Sequence, residues 1–150
     1  MKDKTIDYAL RATWQAVAKM YNEEAGKFGY TMAAGFAILS IDPETGIPST
    51  SLGPRMGMEA TSLSRTLKSM EQKGLIYREP HPEDGRSVII KLTDFGKEKR
   101  ERSKEAVLKF NNEVRTHLTD EKIKHFFEVT EMINELIAEK KIFDPINTSN

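Results

Sequence analysis

The sequence predicts a mainly α fold that carries one small β-hairpin and has a long helix at each end. Three observations support this. Apolar residues recur at spacings of three and four over most of the chain. β-Branched and aromatic residues concentrate in two short runs, LIYRE and SVIIKL, which flank the turn-forming PHPEDGR. The length, 150 residues, suits one domain, 1–150, with residues 30–96 as a lobe and 5–29 with 97–143 as a helical region around it.

The elements follow in order. From Thr5 to Phe28, Leu10, Trp14, Val17, Tyr21, Ala25 and Phe28 mark one face of a long helix, with Gly29 as its stop. Thr31 can cap a second, apolar helix over Met32–Ile41, which DPETGIP ends. A short helix in STSLGPRMG precedes a stronger one from Ala60 to Lys73, closed by Gly74. LIYRE and SVIIKL then form the only strands expected, a two-stranded hairpin too small to stand without helical support. Thr93 can cap a long charged helix to Leu118, whose stripe is Phe95, Ala106, Val107, Phe110, Val114 and Leu118. A last helix, through about Lys141, exposes Ile123, Phe126, Phe127, Ile133, Leu136 and Ile137 on a broad face, and IFDPINTSN reads as a frayed end. Short helix, helix, hairpin is the order of a winged helix-turn-helix. The apolar faces of the terminal helices exceed what one chain can cover, which points to a homodimer paired through its ends.

Composition excludes several classes of function. Without cysteine there are no disulfides, thiolate metal sites or thiol-based redox sensing. No run of 18 apolar residues is present, so no membrane span is expected. MKDKTIDYAL has no apolar core of a signal peptide, and a soluble cytoplasmic protein is the plain expectation. The net charge of zero argues against indiscriminate coating of nucleic acid, but its distribution is uneven. Between Ser49 and Thr93 seven basic residues face five acidic ones, and after Leu118 four basic residues face seven acidic ones.

The Ala60–Lys73 helix has two faces. Leu63, Leu67 and Met70 lie inward, with Leu75 able to close over them, while Ser62, Arg65, Ser69 and Gln72 lie opposite, beside Thr61, Ser64 and Lys68. Serine and threonine are mediocre helix formers, so their clustering near one N-terminus asks for a reason. A DNA-reading helix supplies one, since short hydroxyls approach phosphates and bases closely and arginine binds guanine. A solvated hydroxyl-rich face explains the same pattern. The hairpin adds Arg86 at its tip, Asp84 two residues before, and Arg78 on the ascending strand. An arginine on a thin loop can enter the narrow minor groove, and Asp84 lies close enough in sequence to hold its guanidinium by a bidentate pair. Arg55, Lys68, Arg78 and Lys91 are candidate phosphate contacts.

Over Pro48–Gly96 the chain resembles the winged helix-turn-helix of MarR-type (multiple antibiotic resistance regulator) transcription factors. The resemblance rests on GMEATSLSRTLKSMEQKGLIYREPHPEDGRSVIIKLTDFG, with its Ser/Thr-Arg helix, its KGLIYR link, its P-x-D-x-R wing and its closing LTDFG. It implies that Thr61, Ser62, Ser64 and Arg65 face the major groove, that Arg86 enters the minor groove and that Asp84 orients it. It also implies a dimer on a pseudo-palindromic double-stranded operator, with recognition helices roughly 34 Å apart, acting as a repressor released by a small ligand. Two features depart from the family pattern. Gly53 and Pro54 interrupt the supporting helix, and Glu59 is a poorer N-cap than serine, threonine or aspartate.

A winged helix used only for protein contacts is the alternative. An enzyme is not expected, because His81, His117 and His125 fall in separate elements and no catalytic, phosphate-loop, metal or cofactor motif is present. Trp14, Met20, Tyr21, Phe28, Met32 and Phe36 could line a pocket for a small aromatic or acyl ligand, and core or dimer packing is the simpler account of them.

Overall fold

The structure is a computed structural model that describes residues 4–143; of the end segment expected from its sequence to fray, 142–150, residues 144–150 lie outside the described residues. The elements are α1 (Ile6–Gly26), α2 (Met32–Ser40), β1 (Ile47–Pro48), α3 (Ser49–Met56), α4 (Ala60–Gln72), β2 (Ile76–Pro80), β3 (Val88–Leu92), α5 (Asp94–His117) and α6 (Asp120–Ala138). They fall into two compact units, one running to Glu105 and the other from Ala106, with the boundary inside α5. No helix among the described residues is long and apolar enough to cross a membrane.

The core of the first unit gathers around α2. Its sequence, MAAGFAILS, is apolar on every side, which suits a helix enclosed by neighbours. Ala37, Ile38 and Ile41 pack with Leu52 of α3, with Leu63, Leu67 and Met70 of α4, and with Leu75, Ile76, Ile90 and Leu92 of the sheet region. A fully buried aliphatic side chain of this size contributes about 1.5–3 kcal/mol. The Thr31 hydroxyl caps α2 by accepting the Ala34 N–H at 3.2 Å, as its position in the sequence suggests.

Two local outcomes differ from the sequence expectation. The first helix stops at Gly26, and the left-handed Gly29 lies in the connection that follows. The hairpin gains a third strand, giving the order β1-β3-β2, with Ile47 opposite Ile90 and Pro48 opposite Ile89. A two-residue strand ending in proline has no alternation to read, so only the tertiary pairing shows it. The hairpin itself runs Ile76↔Leu92 to Pro80↔Val88, which leaves residues 81–87 as the tip.

The supporting helix forms in spite of Pro54, and it is short. Pro54 sits in its second turn, where the carbonyl of exposed Thr50 can turn to water. Gly57, left-handed at φ 64°, ends it, with its N–H on the Pro54 carbonyl and the Met58 N–H on that of Gly53, a Schellman-type stop. Gly53 is buried, and a Cβ there would come within 3.3 Å of Leu63 Cδ2. The glycine therefore lets α3 and α4 approach closely.

In the second unit α6 begins at Thr119, whose hydroxyl accepts the Lys122 N–H at 3.2 Å. Phe126 and Phe127 meet edge-on, with ring centroids 5.5 Å apart. Both are exposed, as are Val129, Met132 and Ile137.

Candidate nucleic-acid interface

The α4 helix presents the two faces its sequence predicts. Leu63, Leu67 and Met70 are buried, while Thr61, Ser62, Ser64, Arg65 and Lys68 are all exposed. Glu59 precedes the helix without making a side-chain cap, which leaves the first-turn N–H groups open to water or to an anion. Arg65, Lys68 and Arg86 enter no ion pair among the described residues. Arg55, exposed in the last turn of α3, complements the negative end of that helix.

Two of the basic candidates are committed within the chain. Arg78 Nε donates to Glu71 Oε2 at 2.7 Å, tying β2 to the end of α4. Lys91 Nζ lies 3.0 Å from Glu79 Oε2 across the hairpin. That hydrogen bond, aided by the carboxylate's charge, raises the Lys91 ammonium above its ordinary range. Phosphate would have to compete with these partners.

At the tip Asp84 bonds the backbone of the residue it is expected to orient. Its Oδ1 accepts the backbone N–H of Arg86 at 3.0 Å, and among the described residues the two side chains form no ion pair. Asp84 thus shapes the turn from which Arg86 projects. An acid two residues before an N–H readily closes such an Asx turn, a local geometry that competes well with a longer side-chain pair. The Ser87 N–H bonds the Asp84 carbonyl, and the His81 N–H bonds the Ser87 carbonyl, both at 3.1 Å.

The link from α4 through the wing to α5 is tight. Thr93 bonds Gly74 through its hydroxyl, receives the Gly96 N–H at 3.0 Å, and sends its own N–H to the Leu75 carbonyl at 3.1 Å. A Cβ at Gly96 would stand 2.0 Å from that same carbonyl oxygen. Glycine is therefore required in LTDFG because α5 starts against the α4–β2 turn. At the same end of α4, Lys73 Nζ donates to the Gly29 carbonyl at 2.7 Å.

The six aromatic and methionine candidates do not share one environment. Tyr21 and Phe36 meet edge-on at 5.6 Å, and burial raises the Tyr21 hydroxyl's pKa. Phe28 instead stacks on Tyr30 and lies under Lys99 and Arg102, at 5.5 and 4.9 Å. Met32 is half-buried, with its N–H on Asn22 Oδ1, and Trp14 and Met20 are exposed. A shallow cleft between the start of α2 and α4 is lined by Tyr30, Thr31, Arg65, Ser69 and Lys73 among others, and includes none of the six.

Residues 31–88, the span from the cap of α2 to the first residue of β3, match the sequence model of the MarR family. Over that span the chain is similar to the MarR family. An uncharacterized HTH-type transcriptional regulator of Bacillus subtilis (strain 168) is 30% identical over 83 residues, 55% of this chain and 51% of that protein. The HTH-type transcriptional regulator SarZ of Staphylococcus haemolyticus (strain JCSC1435) is 33% identical over 89 residues, 59% of this chain and 60% of that one. The chain thus spans about half to three fifths of the length of these relatives. In three dimensions the likeness extends further. A crystal structure of an S. aureus MepR–DNA complex superposes with a TM-score of 0.79, covering 89% of this chain and 99% of that one at 20% identity, a similarity of fold.

Proposed function

We propose that this chain is a sequence-specific double-stranded DNA-binding transcriptional regulator, acting as a homodimer on a pseudo-palindromic operator. The observation that carries the proposal is the pairing, in one lobe, of an exposed Thr61–Ser62–Ser64–Arg65 face with a built wing tip whose Arg86 enters no ion pair among the described residues. In this scheme α4 enters the major groove, Arg86 the minor groove, and Arg55 and Lys68 meet phosphate. Residues 5–29 and 97–143 form the dimerisation region of a single domain, 1–150. The MepR–DNA likeness and the relatives described as transcriptional regulators support the same scheme. The regulatory sense we favour is repression in the cytoplasm, relieved by a small aromatic or acyl ligand, with no catalysis involved.

Fragments selected by the purified protein from random DNA supply the test. Binding to a selected fragment should exceed binding to random DNA and weaken steeply with salt as phosphate contacts release counterions. Arg86→Ala should weaken it at least about tenfold and leave the dimer and melting temperature nearly unchanged. No preference for any fragment at low salt would favour a winged helix that makes protein contacts only.

A further inference from the structure

The wing tip contains a side chain that the proposed DNA contact has not used. His81 Nδ1 accepts two backbone N–H groups, from Glu83 at 3.1 Å and from Asp84 at 3.2 Å. Accepting uses the lone pair of Nδ1 and leaves Nε2 as the ring nitrogen that carries the proton. Asp84, fixed by His81 through its N–H, in turn holds the Arg86 N–H on its carboxylate at 3.0 Å and the Ser87 N–H on its carbonyl at 3.1 Å. The chain of contacts runs from His81 to Asp84 to Arg86.

The protein contains a second turn built the same way. Asp42-Pro43-Glu44-Thr45-Gly46 and His81-Pro82-Glu83-Asp84-Gly85 share the frame x-Pro-Glu-x-Gly. In the first, Asp42 Oδ1 accepts the N–H groups two and three residues on, Glu44 at 2.8 Å and Thr45 at 2.9 Å. His81 Nδ1 takes the corresponding two N–H groups in the second. A ring nitrogen therefore stands where a short side-chain oxygen stands elsewhere in the same chain. Without an acceptor at position 81, the Glu83 and Asp84 N–H groups would turn to water, and the residue that orients Arg86 would lose its own anchor.

We propose that His81 is the positioning residue of the wing, setting the tip geometry that aims Arg86; this rests on the DNA contact proposed above. It makes no contact with DNA itself and acts through Asp84. A residue of this kind is recognised by rescue and by coupling.

The test uses the full-length dimer and a selected DNA fragment, with His81→Phe, His81→Ala and His81→Asn each made alone and with Arg86→Ala. Asparagine keeps an oxygen that can accept the same two N–H groups, as Asp42 does; phenylalanine and alanine do not. Removing the acceptor should weaken binding about tenfold with Arg86 present and by less than about twofold with Arg86→Ala, the coupling of residues acting through one contact. His81→Asn should stay within about threefold of wild type. Nitrogen NMR of the wild-type imidazole should show the Nε2-protonated neutral ring with Nδ1 as acceptor. Equal losses in both backgrounds, a His81→Asn variant as weak as His81→Phe, or a proton on Nδ1 would overturn the positioning role. So would undiminished binding by His81→Phe and His81→Ala while Arg86→Ala is weak, and that result would leave the DNA contact standing. If wild type prefers no fragment, or Arg86→Ala binds as wild type, the proposed contact itself fails and the positioning role fails with it.

Discussion

Asp42 takes the Glu44 and Thr45 N–H groups on one carboxylate oxygen, and the Gly46 N–H on its carbonyl at 2.9 Å. This turn delivers the chain from α2 into β1. The N–H groups of Thr45 and Glu44 favour the charged carboxylate and hold its pKa below the ordinary range, with a smaller contribution from the positive charge of Arg100. A carboxyl whose folded-state value is depressed contributes stability that is complete above its unfolded value, near pH 4, and is lost as pH falls through the folded value. Asp42→Asn retains an oxygen acceptor but no charge. It should melt below wild type at neutral pH, and the gap should close as the solution is acidified through the depressed folded-state value. Melting curves over that range check this, and a gap of constant size would assign the effect to shape and not to charge. At the wing tip the Asp84 carboxylate takes a single backbone N–H, that of Arg86.

At the scale of elements, the joint between α4, β2 and α5 has the least room for change. Gly96 lies where a Cβ would overlap the Leu75 carbonyl oxygen at 2.0 Å, and that oxygen already accepts the Thr93 N–H. Gly96→Ala must push α5 away or give up the bond, at a cost on the order of 3 kcal/mol. Gly85→Ala in the tip, where a Cβ would meet nothing within 4 Å, should change stability by less than about 0.5 kcal/mol. Chemical denaturation of the two variants gives both values directly, and a Gly96→Ala protein as stable as wild type would show that the joint yields. What the sequence makes legible has the same scale. The two faces of α4 are periodic within one element, so residue spacing alone places Leu63, Leu67 and Met70 inward and Thr61, Ser62, Ser64 and Arg65 outward. The partners of Arg78 and Lys91 are not legible in this way, because Glu71 lies on a different element and Glu79 on a different strand, brought near only by folding. β1 is hidden because two residues cannot alternate. His81 is within reach, since the x-Pro-Glu-x-Gly frame occurs twice in the chain, but the frame reveals a shared turn only once the bonds of Asp42 are seen.

For the whole molecule the question is what covers its apolar surface. In the first unit Ile6, Tyr8, Leu10 and Trp14 of α1 are exposed, and in the second Leu108 and Leu118 lie exposed near or on α5 with Phe126, Phe127, Val129, Met132 and Ile137 on α6. So many large apolar side chains on helices are more than a monomer in water usually leaves open. With a net charge of zero there is also little overall repulsion to keep copies apart. A second copy of the chain is the simplest cover, and a dimer would also place two recognition helices on one face of DNA. Phe126→Glu combined with Phe127→Glu should therefore convert a dimer into a monomer in sedimentation while α-helical content is kept. Because two tethered lobes bind a two-half-site fragment with an effective concentration that a monomer lacks, affinity for that fragment should fall at least about 100-fold. Affinity for a single half-site, made by one lobe, should stay within about threefold. A variant that remains dimeric would remove α6 from the interface, and equal losses on one and two half-sites would mean that the substitutions act within the lobe and not on its pairing.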